Sequence, residues 1–306
     1  MRPYNCIVVL GPTASGKTKL ACEIAYQCNG EIISADSRQV YRNLDIGTGK
    51  DLNEYSIHNK NIKYHLIDIQ DPSEQYYLHQ FIAGCDNAFY EIIKKNKTPV
   101  ICGGTGLYLD SLHKDYSYTQ IRENEELRKQ LNKLSKNELT VRLNKYPDDT
   151  LRHVDRNSIK RLIRAIEIGE YVLAHGWDLT GNARPYKPLY IGLELPLARR
   201  KLNIEYRLEQ RLKSGLIEEV EMLLKRGITH QRLQFLGLEY KWVSLYLEKK
   251  ISLSEMQTSL LTGILQYAKR QMTWFRKMEK EGIKINWINP VNFTEALDLI
   301  HLSFRK

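Results

Sequence analysis

The sequence predicts an α/β protein: a parallel sheet crowned by a phosphate-binding loop and flanked by helices, with a mostly helical insertion domain. Three observations carry this expectation. Residues 11–18 read Gly-Pro-Thr-Ala-Ser-Gly-Lys-Thr, the G-x-x-x-x-G-K-[ST] phosphate loop, between an apolar run at 6–10 and a helix-compatible stretch at 19–27. Short apolar runs recur with helical stretches between several of them, the alternation of a parallel, helix-covered sheet. Between Cys102 and Leu189 strand signals fade, and helical periodicity studded with Lys and Arg takes over.

In chain order, residues 7–10 form the first buried strand. In the loop that follows, Gly11 and Gly16 let the backbone curl around Pro12 so that the N–H groups of Thr13, Ala14 and Ser15 face an oxyanion. The start of the next helix adds its positive dipole end. Lys17 supplies a point charge to phosphates, and the Thr18 hydroxyl can sit on Mg²⁺. Residues 31–34 are the second strand, and Asp36 leaves its carboxyl end, where ligands sit in open α/β sheets. Asp36 reads either as a base beside the bound compound or as the cap of a turn.

The third strand, 65–69, carries Asp68, either a Walker-B-like carboxylate that orients Mg²⁺ through water or a structural hydrogen-bond partner. His65 reads as a packed histidine with no partner nearby. The fourth strand, 99–102, runs into Gly103-Gly104-Thr105-Gly106, a glycine-rich end that admits close approach of a ligand and offers the Thr105 hydroxyl. Residues 113–187 form the helical insertion, with 182–188 as an irregular connector, so 1–112 and 188–306 make the core. Residues 189–195 return to the sheet, and 197–280 are mostly helical with breaks near Gly215 and Gly227.

Two helices are strongly basic. Within 157–166, Ile159, Leu162, Ile163 and Ile166 share one face while Lys160, Arg161 and Arg164 cluster opposite. Residues 266–277 interleave aromatic side chains with cations. Each reads as a solvated face or as a set of phosphate partners. The net charge of +10 is uneven: residues 1–110 hold 11 Lys and Arg against 12 Asp and Glu, and the rest hold 35 against 24. That asymmetry suits a polyanion such as nucleic acid, or a well-solvated lysine-rich surface. Apolar runs fall short of the ~20 residues of a membrane helix, and the first strand leaves no room for a signal peptide ahead of it. Five cysteines without a C-x-x-C pair read as reduced, buried thiols of a cytoplasmic protein.

Together these segments resemble the tRNA dimethylallyltransferase (tRNA isopentenyl transferase) family. The resemblance runs over nearly the whole chain: GPTASGKT (11–18), ISADSRQVYRNLDIGTGK (33–50), HLIDI (65–69), GGTGLYL (103–109), KRLIRAIEI (160–168) and AKRQMTWFR (268–276). It implies transfer of a dimethylallyl group from dimethylallyl diphosphate to N6 of the adenine 3′ of the anticodon in tRNA. The loop would hold the diphosphate, rather than ATP, with Thr13, Lys17 and Thr18 close to it and Arg211 helping. Asp36 would be the general base, and Asp36, Ser37, Arg38 and Gln39 would meet the target adenine, with Thr105 at the reacting centre. Arg128 and the stretch Lys160, Arg161, Leu162, Ile163 and Arg164 would contact the anticodon stem-loop. Mg²⁺ is the expected cofactor, and a monomer is expected. The family's Gly-Tyr-Lys/Arg-Glu element stands here as Gly237-Leu238-Glu239-Tyr240-Lys241, its aromatic and basic residues displaced. The competing readings are a small-molecule kinase using ATP, a non-catalytic RNA-binding module, and a prenyltransferase of free adenine nucleotides. The lack of an Arg-rich lid and the basic second half of the chain favour the tRNA enzyme.

Overall fold

The structure, a computed structural model, describes residues 4–147, 156–176, 184–290 and 292–304. Residues 182 and 183 of the expected connector lie outside them. The chain forms two compact units, residues 1–114 with 184–306, and residues 115–183.

The strands of the larger unit are β1 (Cys6–Leu10), β2 (Gly30–Ser34), the short pair β3 (Ser56–Ile57) and β4 (Lys60–Asn61), β5 (Tyr64–His65), β6 (Thr98–Gly103), β7 (Pro188–Leu193) and β8 (Ile285–Ile288). Six of them form one parallel sheet in the order β5-β2-β6-β1-β7-β8. Its helices are α1 (Lys17–Gln27), α2 (Leu78–Lys94) and α3 (Gly106–Asp110), then, beyond α4 to α6 of the smaller unit, α7 (Leu197–Lys213), α8 (Leu216–Lys225), α9 (His230–Leu236), α10 (Leu238–Leu247), α11 (Leu253–Lys280) and α12 (Phe293–Phe304). All five residues of β1 are buried because helices cover both faces of the sheet. Ile7 and Val9 pack with Leu20 and Ile24 of α1 and Ile300 of α12, whereas Val8 and Leu10 pack with Phe81 and Phe89 of α2 and Phe275 of α11. A third core joins α7 to α11 through Leu208, Val220, Leu233, Val243 and Leu260, and takes in Val40, Tyr41 and Leu44 from the loop after β2. The breaks near Gly215 and Gly227 are left-handed turns, at φ 97° and 90°.

The third strand is shorter than its apolar run suggests. Only Tyr64 and His65 are paired, because Leu66 and Asp68 turn left-handed (φ 64° and 57°) and the Asp68 carboxylate bonds the buried Lys50 ammonium. The four-residue β8 was not anticipated; it completes the sheet beside β7. His65 does have a partner: its Nε2 lies 2.8 Å from Glu31 Oε2 on the adjacent strand.

Glu31 is buried where β2 begins, within 2.9 Å of Lys97 and 3.6 Å of Lys95. Burial alone would raise its pKa. The hydrogen bonds from Lys97 and His65 and the charges of Lys97 and Lys95 outweigh it and hold the carboxyl at about 2, against 4.5 unperturbed. A depressed carboxyl contributes stability above its unfolded pKa and loses it as pH falls through the folded one. Urea melts between pH 4.5 and 2 are therefore expected to show stability draining away. Glu31→Gln should lose about 2 kcal/mol at neutral pH and flatten that acid slope.

The smaller unit packs α4 (Glu125–Leu131), α5 (Lys136–Leu143) and α6 (Ile159–His175) around Leu131, Leu139, Leu143, Leu162, Ile163 and Ile166. Asn124 caps α4, and the Ser135–Glu138 pair forms a capping box on α5. Ile159, expected on the buried face, is 47% exposed at the first turn of α6.

Candidate functional site: a cationic cleft at the sheet edge

The parallel register brings Leu10, Ser34 and Gly103 to one edge, so the segments that follow them converge. Backbone bonds lace them: Ala35 N–H donates to Cys102 O (2.7 Å) and Thr105 N–H to Ala35 O (3.3 Å). Thr105 Oγ1 accepts the Ser37 N–H at 3.1 Å. Above this edge lies a cleft of about 410 Å³, lined by Thr13, Lys17 and Thr18 of the loop, Asp36 to Gln39, residues 47–49, and side chains of α7, α9, α10 and α11. Its volume suits a small ligand together with one planar ring.

The phosphate loop is preorganised. Gly16 adopts φ 84°, which a glycine takes without strain, and no side chain caps α1, so its first N–H groups are free for an anion. Gly11, Pro12, Ala14, Ser15 and Gly16 form the turn beneath the lining. The Thr13 N–H donates to Gln271 Oε1 (2.9 Å), while Gln271 Nε2 donates to Gly104 O (2.8 Å). Gln271 is buried, and a Cβ at position 104 would overlap its Nε2. One amide thus ties the phosphate loop to the glycine-rich end of β6, a role that the sequence alone did not suggest.

Cations dominate the lining: Lys17, Arg38, Arg207, Arg211, Lys241 and Arg270 face only two carboxylates, Asp36 and Glu239. Lys17 Nζ rests 3.4 Å from Pro12 O, and burial lowers its pKa, with Arg207 adding to the effect against Cys102 and Asp36. Arg211 Nη1 bonds Gly47 O (3.1 Å) and Glu239 (2.9 Å), but its Nε is buried without a hydrogen-bond partner among the described residues. Burial, then Arg207, lowers the Arg211 pKa. A bound anion would relieve both strains. Arg207, one turn earlier, bonds Asp51 and Gly49 O; it too escaped the sequence reading.

Asp36 caps its turn and lines the cleft. Its Oδ1 accepts the N–H groups of Arg38 (2.8 Å) and Gln39 (3.4 Å), capping the turn, while Oδ2 takes no hydrogen bond from any described residue. Cys102 lines the cleft as a thiol, since burial, partly offset by Lys17, pushes its pKa up to about 12. All five cysteines are free thiols.

Three expectations need correction. Asp68 is not in the lining: it pairs with Lys50, which also bonds Asp45 (2.6 Å) and Tyr41 O (2.8 Å), so it is a structural partner and not a carboxylate beside Thr18. Thr105 touches two lining residues, Ser37 and Tyr267, and holds the Asp36 turn through Ser37. Leu162 and Ile163 are core residues of the smaller unit, so their side chains are closed to RNA. Arg128 grips Glu167 through two bonds of 2.8 Å and also Glu123 at 2.5 Å; Arg164 bonds Glu167, Tyr118 O and Ile121 O. Both guanidinia are engaged internally; Lys160 and Arg161 are exposed on α6. Among the described residues no cluster of three or more His, Cys, Asp or Glu could hold a metal, and no helix is long and apolar enough to cross a membrane.

Known proteins match this chain along its length. A family model described as IPP transferase matches residues 39–278, and one described as isopentenyl transferase matches 4–68. A tRNA dimethylallyltransferase 2 of Bacteroides fragilis is 46% identical over 290 residues, 94% of each chain. The crystal structure of a full-length tRNA isopentenylpyrophosphate transferase from Bacillus halodurans superposes with TM-score 0.72 at 32% identity, over 99% of this chain and 97% of that one. A eukaryotic dimethylallyltransferase acting on tRNA shares the fold, with TM-score 0.76 at 24% identity over 94% of this chain and 74% of that one.

Proposed function

Because the chain belongs to the IPP transferase family and is a tRNA-modifying prenyltransferase, we propose that its cleft takes dimethylallyl diphosphate as donor and the adenine 3′ of the anticodon as acceptor. The observation that carries this reading is the placement of the open Asp36 Oδ2 in one cleft with Lys17, Thr18 and the orphaned Arg211 Nε. A carboxylate ready to take a proton faces a nest ready to take a departing diphosphate.

The adenine N6 lone pair is delocalised into the ring and is a weak nucleophile. As its bond to the allylic carbon forms and the carbon–oxygen bond to diphosphate breaks, the nitrogen becomes acidic and its proton passes to Asp36 Oδ2. Lys17, Arg211 and the amides that open α1 stabilise the charge growing on diphosphate, often the largest catalytic term. Thr18, in the lining, fits Mg²⁺ carried on the diphosphate, which would neutralise part of that charge; Asp68 does not fit this role. Leu236, Leu238, Ile264 and Tyr267 wall the cleft and keep water from an allylic carbon with cation character. The Cys102 thiol, neutral at physiological pH, does not compete for that carbon. The adenine must leave its stack to enter, as for other enzymes acting on a base. The exposed Lys160 and Arg161 suit stem phosphates.

The test is a transfer assay with labelled dimethylallyl diphosphate, Mg²⁺ and an anticodon stem-loop, with AMP as the competing acceptor. Label on the stem-loop alone is expected. Label on AMP alone would redirect the reading to free nucleotides, and no transfer to either would overturn it.

Gln271→Leu should lower the single-turnover rate about 10- to 100-fold, because a displacement of about 1 Å between reacting groups has effects of that size. Donor affinity should change far less. Rapid-quench kinetics beside equilibrium binding would check this split.

A further inference from the structure

We propose that Phe235, with Arg38, forms a stacking platform for the base flanking the target adenine. The inference deepens the tRNA reading and rests on it. Phe235 lines the cleft and is 52% exposed, so its ring is open to a ligand there. It stands two residues ahead of Gly237, where the displaced aromatic–basic element begins, so this chain carries an aromatic ring just before that element.

The two arginines at the ring differ in freedom. Arg232 lies 5.3 Å from the Phe235 centroid and is pinned, its Nε donating to Pro72 O (2.6 Å) and its Nη2 to Glu74 O. Arg38 lies 5.8 Å from the same centroid, yet its guanidinium makes no hydrogen bond to any described residue. Arg38 is also two residues from Asp36, in the turn that Asp36 caps. A base unstacked beside the reacting adenine therefore meets an open aromatic ring and a loosely held guanidinium, while Arg232 keeps the ring in place. Exposed aromatic rings with adjacent guanidinium planes are how proteins hold unstacked RNA bases, and Arg38 is free to pair with the flanking phosphate.

The experiment measures kcat and KM of wild type, Phe235→Ala and Phe235→Tyr on three stem-loops: intact, abasic on the 5′ side of the target adenine, and abasic on its 3′ side. Phe235→Ala is expected to raise KM for the intact loop about 10- to 100-fold, the range seen when a stacking aromatic is truncated, with kcat and donor affinity near wild type. Phe235→Tyr should restore it to within about threefold. On the abasic loop that lacks the stacked base, the difference between wild type and Phe235→Ala should vanish. Equal losses on all three loops, or no loss on the intact one, would overturn the platform while leaving the transferase reading intact. Wild type that labels no loop would overturn the transferase reading, and the platform with it.

Discussion

Asp36→Asn is expected to lower the single-turnover transfer rate about 10²- to 10⁴-fold, the usual contribution of a positioned proton acceptor. Binding of donor and stem-loop should stay within about threefold. Asparagine is the discriminating replacement because its amide oxygen can still accept the N–H groups of Arg38 and Gln39 that now bond Oδ1. The turn therefore survives, and with it the placement of Ser37 against Thr105. What changes is the other atom: an NH₂ that cannot take a proton replaces the open oxygen. Rapid-quench kinetics with prebound substrates isolate this step. A rate near wild type would remove Asp36 from the proton transfer.

Glu219→Ala is expected to destabilise the larger unit by about 3–5 kcal/mol in urea unfolding. The buried carboxylate accepts four bonds: Asp45 N–H at 2.8 Å and Ile46 N–H at 2.7 Å on Oε2, Gly47 N–H at 3.0 Å and the Tyr240 hydroxyl at 2.8 Å on Oε1. Removing it strands three amides and a phenol, each at roughly 1–3 kcal/mol if no water reaches them. The loop it holds presents Gly47 O to Arg211 and Gly49 O to Arg207 and Gln39. Donor affinity should therefore fall along with stability, by about tenfold in a titration of the folded variant. Glu219→Gln, which keeps an acceptor, should lose less of both.

The legible parts of the site were local in sequence. Residues 11–18 announce their loop because the turn and its flanking elements are contiguous, and β1, β2 and β6 follow from unbroken apolar runs. The illegible parts depend on partners far along the chain. Gln271 meets Thr13 across 258 positions, and Glu219 meets the 45–47 loop across more than 170, so no periodicity marks either. The HLIDI run at 65–69 reads as a full strand because nothing local reveals that Lys50 will take Asp68. β8 is only four residues long and breaks its apolar pattern with Asn286, too little to stand out beside a long helix. Glu167 did leave a trace: it lies three residues after Arg164 on the same helix, a spacing that allows a pair, yet its link to Arg128 is tertiary.

If the smaller unit contacts RNA as proposed, that glutamate also bears on its response to salt. With Arg128 and Arg164 held on Glu167, neither guanidinium displaces a cation from an approaching RNA backbone unless the carboxylate is left buried and alone. Each arginine so withheld removes about 0.7–0.9 from the slope of log affinity against log salt. Position 167 is the contact the two guanidinia share, but Glu123 also holds Arg128 and the Tyr118 and Ile121 carbonyls also hold Arg164, so a neutral substitution there should change the salt slope by less than the full share of two cations.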